Sequence, residues 1–183
     1  MINYELPTKV IIDDKTYSIR NNGDWRVVMD IFSATNDKDL SLQEKEYTVL
    51  YLFYGKNIPA DLQSAHKEIS LFLGMGVEET NGVNKPKLMD WEQDFNIIIS
   101  AINKVLGYDV RTKKYVHWWT FMGAFNEIDP DCLFGQIVRI RSKRYKGQKL
   151  DKYEQIFFRE NRDKILFKNS LSQEDEEWLN SDD

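Results

Sequence analysis

The chain has 183 residues, of which 42% are hydrophobic and 13% aromatic, so it has enough apolar surface for one folded domain and is not a wholly disordered protein. Its net charge of −5 argues against a domain whose entire surface is built to hold nucleic acid. A single cysteine, Cys132, excludes an internal disulfide, and no segment approaches the roughly 20 apolar residues of a membrane-spanning helix.

The first predicted element is a β-hairpin over residues 9–20. Two segments rich in β-branched and aromatic residues, 10–12 and 17–19, flank a polar turn at 13–15. A second turn at 21–23 precedes Asp24, which has the position of an N-cap for a short helix bearing Trp25 and Phe32 on one face. From this point helical patterns dominate the sequence.

Two helices are predicted before residue 75. Ser41 and Glu44 have the spacing of a capping box, and the helix that they open ends at Gly55. Pro59 suits the first turn of the next helix, which ends at Gly74. The segment 78–87 has little to bury, and the pattern there predicts a mobile loop.

Four further helical segments follow. Asp90 and Gln93 have capping-box spacing before an amphipathic helix that ends at Gly107, and residues 117–125 form a run of large side chains that we expect at the centre of the core. Asp129-Pro130 has the form of an N-cap followed by a proline in the first turn. The last helix is predicted over residues 151–168.

These elements predict a mainly α protein, a compact helical bundle of about six to seven helices with a short N-terminal β-hairpin. Residues 1–169 are predicted to form a single domain. The residues from 170 onward carry six acidic side chains without a lysine or arginine, which predicts a flexible acidic tail over 170–183.

Candidate catalytic residues are scarce. His66 and His117 lie in helical patterns beside aromatic or aliphatic residues, and Cys132 stands beside Leu133, so each fits a structural role better than a catalytic one. Asp90 and Asp94 share a helix face and could hold a divalent ion or a basic partner, but no histidine accompanies them at metal-binding spacing. We therefore expect no catalytic centre, no metal and no cofactor.

The basic segment 139–152 is the clearest charged feature. It contains seven cations: Arg139, Arg141, Lys143, Arg144, Lys146, Lys149 and Lys152. Three interpretations stay open for it. The segment can be a solvated face or one that pairs with the acidic C-terminus, it can dock an acidic protein surface, or it can contact phosphates of a nucleic acid.

Adjacent tryptophans at 118 and 119 raise a second question. Trp118, Trp119 and Phe121 have helical spacing, but neighbours on a helix cannot both face the core. One of the two tryptophans is therefore expected at an interface, where aromatic residues often anchor a partner.

Three motifs in the middle of the chain resemble the bacteriophage Gp15 family of tailed phages and prophages of Gram-positive bacteria. They are, in order, an aspartate-rich helix start at 90–94, the segment His-Trp-Trp-Thr-Phe at 117–121, and an isoleucine-rich helix with Ile-Val-Arg-Ile-Arg at its end, 134–141. The N-terminal hairpin and the helix with Trp25 also fit, so the resemblance covers about residues 5–165.

The resemblance implies a gene product encoded between the major tail protein and the tape-measure protein of a long noncontractile tail. It implies a tail-assembly chaperone of the host cytoplasm, which binds the tape-measure protein and keeps it soluble before the tail tube polymerises. An upstream tail-assembly chaperone and the major tail protein are further candidate partners, and a homo-oligomer is left open.

Two alternatives to the chaperone stay open: a minor tail or connector component retained in the virion, and a nucleic-acid-binding regulator that uses residues 139–152. The expected partner-binding residues are Trp118, Trp119, Phe121, Arg139, Arg141 and Arg144.

Overall fold

The fold is mainly α, as predicted, in a computed structural model that describes residues 5–78 and 86–167. The strands are β1 (Lys9–Ile12) and β2 (Lys15–Ser18), and the helices are α1 (Trp25–Asn36), α2 (Leu42–Tyr54), α3 (Leu62–Leu73), α4 (Phe95–Leu106), α5 (Trp118–Asn126), α6 (Leu133–Tyr145), α7 (Lys152–Glu160) and α8 (Arg162–Ile165). Within the described ranges this gives eight α-helices, one more than the upper end of the prediction.

Backbone contacts divide the chain into two units. The first comprises the described residues within Met1–Gly82 together with Val110–Asn126, and the second comprises those within Val83–Asp109 together with Glu127–Asp183. The single domain over 1–169 stays a prediction. The acidic tail from 170 and most of the loop predicted at 78–87 lie outside the described residues.

The N-terminal hairpin is confirmed. β1 pairs with β2 in antiparallel register, with Val10 opposite Tyr17. Asp13 and Asp14 occupy the two-residue turn with φ of 50° and 59°, the left-handed conformation that tight hairpin turns require and that aspartate tolerates. Val10 and Ile12 are buried and Ile11 is exposed, which is the alternation of a strand that buries one face, although all three residues are apolar.

The helix starts in the first unit are set by side-chain caps. Asp24 Oδ1 accepts from the backbone N–H of Arg26 at the start of α1, and Ser41 with Glu44 forms the predicted capping box at the start of α2. For α3 the predicted start was too early, because Pro59, expected in the first turn, precedes the helix: Asp61 is the N-cap, and its Oδ1 accepts from the N–H groups of residues 63 and 64.

In the second unit α4 begins later than predicted. Residues 91–94 form a turn in which the Asp94 carboxylate accepts from the Asp90 N–H at 2.9 Å. In the predicted capping box the Gln93 side chain would accept from this N–H, so Asp94 takes the place of Gln93. Gln93 instead donates through Nε2 to the carbonyl oxygen of Leu166 at 2.7 Å. The helix proper starts at Phe95.

The start of α6 also differs from the prediction. Cys132 is the N-cap, and its Sγ accepts from the N–H of Gly135, whereas the Asp129 carboxylate accepts from the N–H of Asp131 one turn earlier. A Cβ at Gly135 would lie 2.3 Å from the carbonyl oxygen of Pro130, so only glycine permits this close approach.

The single helix predicted over 151–168 is two helices in the structure. α7 opens on the capping box of Asp151 and Glu154 and stops at Asn161, whose side-chain amide donates to the carbonyl of Phe157. α8 follows and brings Ile165 onto α6. The buried cluster of this unit is Ile137, Ile140 and Ile165, with Phe157 and Phe158 packed against it.

Candidate partner-binding surfaces

The predicted partner-binding residues fall into two groups, one in each unit. Trp118, Trp119 and Phe121 lie on α5 in the first unit, and Arg139, Arg141 and Arg144 lie on α6 in the second.

Two of the aromatic residues on α5 are in the core. Trp118 is 1% exposed and Phe121 is fully buried. The Phe121 ring stacks on Trp25 at 4.8 Å between centroids and on Trp118 at 5.6 Å. In this fold Trp118 and Phe121 stabilise the packing of α5 on α1, and a partner has no access to either side chain.

The two tryptophans hold the end of α3. Trp118 Nε1 donates to the carbonyl oxygen of Leu73 at 3.1 Å, and Trp119 Nε1 donates to that of Phe72 at 2.8 Å. The last carbonyls of a helix have no intrahelical donor, so the two adjacent indoles each donate to one of these carbonyls. Trp119 is half-buried, so the structure identifies it as the member of the pair that is not fully in the core, a choice that the sequence left open.

Asp24 and His117 join the start of α1 to the segment that precedes α5. Asp24 Oδ2 accepts from the N–H of Val116 at 2.9 Å, and its Oδ1 accepts from the N–H and the guanidinium of Arg26. His117 Nδ1 accepts from the N–H of Trp119, which leaves Nε2 as the ring donor to the carbonyl oxygen of Pro7 at 3.0 Å.

These contacts make His117 a neutral N-cap of α5. Burial lowers the pKa of His117, and the neighbouring Asp24 and the bond to Pro7 only partly offset that effect. Since both ring nitrogens are engaged, His117 fits the structural role that the sequence favours over catalysis.

Arg141 is the most completely bonded side chain of the basic segment, and it is buried. All five of its N–H groups have an acceptor: both oxygens of Asp94, and the carbonyl oxygens of Leu88, Lys164 and Ile165. The ring of Phe167 lies 4.1 Å from the guanidinium carbon. Of the two options left open for Asp94, a divalent ion or a basic partner, the structure shows a basic partner within the chain itself.

The spacing of Arg141 and Asp94 in the sequence already indicates this pair, although charged residues are not expected in a protein core. Arg141 follows the buried Phe134 and Ile137 at intervals of seven and four, and Asp94 precedes the buried Ile98 and Ile102 by four and eight. Each charge thus occupies the apolar stripe of its helix. A carboxylate and a guanidinium on two such stripes indicate a buried ion pair, because neither group is stable there alone.

A second ionic cluster joins α6 to α7. Lys143 Nζ donates to both oxygens of Glu154 at 2.6 and 2.7 Å, and this contact holds the pKa of the Glu154 carboxyl below its ordinary value. Arg139 lies nearby, 3.9 Å from Glu154 and 3.5 Å from Asp131. Two more cations of the basic segment therefore have acidic neighbours within the unit.

The accessible remainder forms what we call the α6–α7 surface: Arg139, Arg144, Tyr153, Ile156 and the groove beside them. Tyr153 is 83% exposed and Ile156 38% exposed, and they stand three residues apart on one face of α7. The groove has a volume of about 210 Å³ and is lined by Gln136, Arg139, Ile140, Asp151, Tyr153, Glu154 and Phe157. Its lining combines charged and polar side chains with parts of Tyr153 and Phe157.

Of the predicted set, Arg139 and Arg144 are thus exposed beside this groove, and Trp119 is partly accessible in the other unit. Arg144 places its guanidinium 4.9 Å from the centre of the Phe158 ring, a cation–π contact on an otherwise exposed residue. The partner contacts of all six residues stay predictions, but burial removes Trp118, Phe121 and Arg141 from the accessible surface.

The remaining candidate chemistry has structural explanations in the described residues. His66 lies 3.3 Å from Glu46 on the surface, and Cys132 caps α6. Within residues 5–78 and 86–167 no cluster of metal-ligating side chains occurs, and no helix there is long and apolar enough to cross a membrane.

Comparison with protein families gives one match. The family model described as Bacteriophage Gp15 protein matches residues 2–165. No curated protein and no solved structure matches the chain.

Proposed function

The chain belongs to the Bacteriophage Gp15 family, and on that premise we propose that it is a tail-assembly chaperone that binds the tape-measure protein and keeps it soluble until the tail tube polymerises. Family membership makes it a phage structural or assembly protein. The tape measure as its partner is our proposal.

The observation that carries the proposal is the α6–α7 surface. Tyr153 and Ile156 are exposed side by side on α7, and Tyr153 also lines the groove, whose other lining residues include charged side chains. Aromatic side chains next to arginines are the composition of binding hot spots, whereas isolated exposed apolar residues need no such explanation.

A tape-measure protein fits this surface in chemistry. Before assembly a long helical protein exposes apolar stripes, and exposed apolar side chains such as Tyr153 and Ile156 can pack against such a stripe. The cations Arg139 and Arg144 at the rim orient the encounter and speed it without deep burial, which suits a partner that must later be released into the tube. Such a chaperone acts in the host cytoplasm.

Coexpression with the tape-measure protein tests the proposal. We expect more soluble tape-measure protein and a copurifying complex, both reduced by Tyr153→Asp and Ile156→Asp. Tyr47→Asp is the matched control, since Tyr47 is a comparably exposed tyrosine (62%) on α2 of the first unit. Unchanged solubility with the wild-type chain, or equal loss with Tyr47→Asp, would contradict the proposal.

Mass spectrometry of purified virions separates this role from that of a retained tail or connector component, because a chaperone is absent from the finished particle. The nucleic-acid alternative has weaker support, since Arg141 and Lys143 of the basic segment are engaged by carboxylates of the chain itself. Absence of salt-dependent binding to DNA or RNA would exclude it.

A further inference from the structure

His117 is a buried titratable ring that joins the N-terminal segment to the start of α5. The residue is 2% exposed. Its Nδ1 accepts from the N–H of Trp119 and its Nε2 donates to the carbonyl oxygen of Pro7, each at 3.0 Å. The neutral ring can make both bonds, but the protonated ring carries a donor at each nitrogen and no acceptor. The hydrogen bond from Trp119 therefore exists in one protonation state of His117 only.

The charged and titratable groups around the ring lie at the start of α1 and in the segment before α5. Asp24 favours protonation of His117, but its Oδ2 accepts from the N–H of Val116 and its Oδ1 from the guanidinium of Arg26. Tyr115 donates its hydroxyl to a backbone carbonyl. Burial is the larger effect and lowers the pKa of His117, while Asp24 and the bond to the N-terminal segment raise it only in part. Protonation is therefore unfavourable as long as the ring stays packed.

The surroundings leave the ring little room to turn toward another acceptor. α3 faces it with an apolar group, the Phe72 ring, which meets the imidazole edge-on at 5.5 Å between centroids. Gly23 also comes so close that a Cβ there would lie 3.0 Å from Nε2 of His117. A proton on Nδ1 therefore places two N–H groups against each other, one from the ring and one from the backbone of Trp119.

Trp119 is the member of this cluster that can move without opening the core. It is half-buried, whereas Trp118 is 1% exposed. Its Nε1 donates to the carbonyl oxygen of Phe72 at 2.8 Å, and its ring packs on those of Phe72 and His117, with centroids 6.3 and 6.1 Å away. Withdrawal of Trp119 uncovers one side chain and one carbonyl, but movement of Trp118 would open the stacked aromatic core.

We propose that His117 is a pH-dependent switch: its protonation opens the first turn of α5 and exposes the indole of Trp119, while Trp118 and Phe121 stay packed. In the open state the ring contacts water and titrates near its ordinary pKa of 6.5, above the pKa of the packed ring. The closed state is therefore fully favoured above pH 6.5. Below that value each further pH unit shifts the equilibrium toward the open state by up to about tenfold, until the pH reaches the pKa of the packed ring.

The open state offers a partner an aromatic anchor that the closed state half covers. Trp119 is one of the predicted partner-binding residues, so a partner that binds its indole stabilises the open state and raises the pH at which that state forms. This consequence rests on the proposed function, whereas the switch is measured on the full-length protein alone.

NMR of the full-length protein with isotopically labelled tryptophan tests the switch. Trp118→Phe and Trp119→Phe identify the two indole N–H signals, and a neutral gadolinium chelate in solution reports the exposure of each indole through its relaxation. As the pH falls from about 7.5 to about 5, relaxation at Trp119 should rise by up to about twofold, as for a half-buried ring that becomes exposed, and relaxation at Trp118 should stay constant. The midpoint should coincide with the titration of the His117 ring in the same sample.

Two outcomes of this measurement overturn the proposal. Exposure of Trp118 together with Trp119 would mean that the whole unit unfolds. A Trp119 that stays covered throughout, whether or not the His117 ring titrates, would mean that protonation does not release it. Neither outcome depends on a variant of His117, so the test holds even where such a variant does not fold.

Substitution of each histidine in turn assigns the response to one ring. His117→Asn keeps an acceptor for the N–H of Trp119 but cannot take up a proton, so Trp119 should stay covered at every pH. The chain has two histidines, and His66→Asn is the matched control, which should respond as the wild type does. A response that persists in His117→Asn, or one that is lost in His66→Asn, contradicts the assignment.

Discussion

The two units stabilise their interiors by different means. The first packs stacked aromatic rings, Trp25, Phe121 and Trp118, and uses indole N–H groups to complete the end of α3. The second packs isoleucines around a buried ion pair, Arg141 with Asp94, whose spare donors hold three backbone carbonyls. The two interiors should therefore respond differently to substitution. In an apolar interior the loss of stability grows with the apolar volume that is removed. Removal of one member of a buried ion pair costs more, because the other charge is left buried without a partner.

Breaking the ion pair from one side should have the largest effect. Arg141→Ala leaves Asp94 buried without its cation and should lower the free energy of unfolding by about 3–5 kcal/mol. Urea denaturation measures the loss, and hydrogen exchange should locate it in α4, α6 and α8. Arg144→Ala, an exposed arginine one turn away, is the control and should change stability by no more than about 0.5 kcal/mol.

Replacing both charged residues distinguishes the cost of a buried unpaired charge from the cost of the lost hydrogen bonds. Arg141→Met combined with Asp94→Leu should recover much of the stability lost in Arg141→Ala, because no unpaired charge stays buried. If the double substitution is as unstable as the single one, the hydrogen bonds to the three carbonyls, not the charge pair, stabilise the second unit.

In the first unit the two indoles should differ. Trp118→Phe removes the donor to the Leu73 carbonyl in a fully buried place and should cost about 1–3 kcal/mol. Trp119→Phe removes the donor to the Phe72 carbonyl where the side chain is half-buried, so water can substitute, and the cost should be about 0.5–1.5 kcal/mol. Thermal unfolding of the matched pair checks this order, and the reverse order would contradict it.

Acid should weaken the first unit through His117. Since the folded-state pKa lies below the ordinary value of 6.5, the unfolded chain takes up the proton first as the pH falls. The stabilisation by neutral His117 is therefore fully present above pH 6.5 and is lost as the pH falls through the folded-state pKa. His117→Asn keeps an N-cap acceptor for the Trp119 N–H but cannot titrate, so the difference between its pH profile of unfolding and that of wild type isolates this group.

The smallest effect on stability should come from the exposed arginines. Arg139→Glu with Arg144→Glu should cost about 1 kcal/mol or less, since exposed ion pairs contribute little. The double substitution should nevertheless slow association with the tape-measure protein and reduce the salt dependence of the association rate, as measured by stopped-flow mixing at two ionic strengths. Lys38→Glu with Lys56→Glu carries the same change of charge on the first unit, and equal slowing by both pairs would place the binding elsewhere.

The sequence by itself determined the elements and most of their ends. The hairpin turn at Asp13-Asp14, the capping box of Ser41 and Glu44 and the helix at 117–125 depend on residues within about four positions of each other, where propensity and capping act. The family resemblance is confirmed over residues 2–165. The start of α6 was misplaced because its N-cap depends on the close contact of Gly135 with Pro130, which no local pattern reports.

Only the tertiary structure decided which members of the basic segment are available to a partner. Arg139, Arg141 and Arg144 are alike in the sequence, yet Arg141 is buried against a carboxylate 47 positions away while the other two remain exposed. The same holds for Trp118 and Trp119. Which carbonyl each indole binds depends on where the end of α3 lies, and the sequence does not report that position. The physical reason is that the free energy of a charged or aromatic side chain depends on what covers it, and residues distant in the sequence provide that cover.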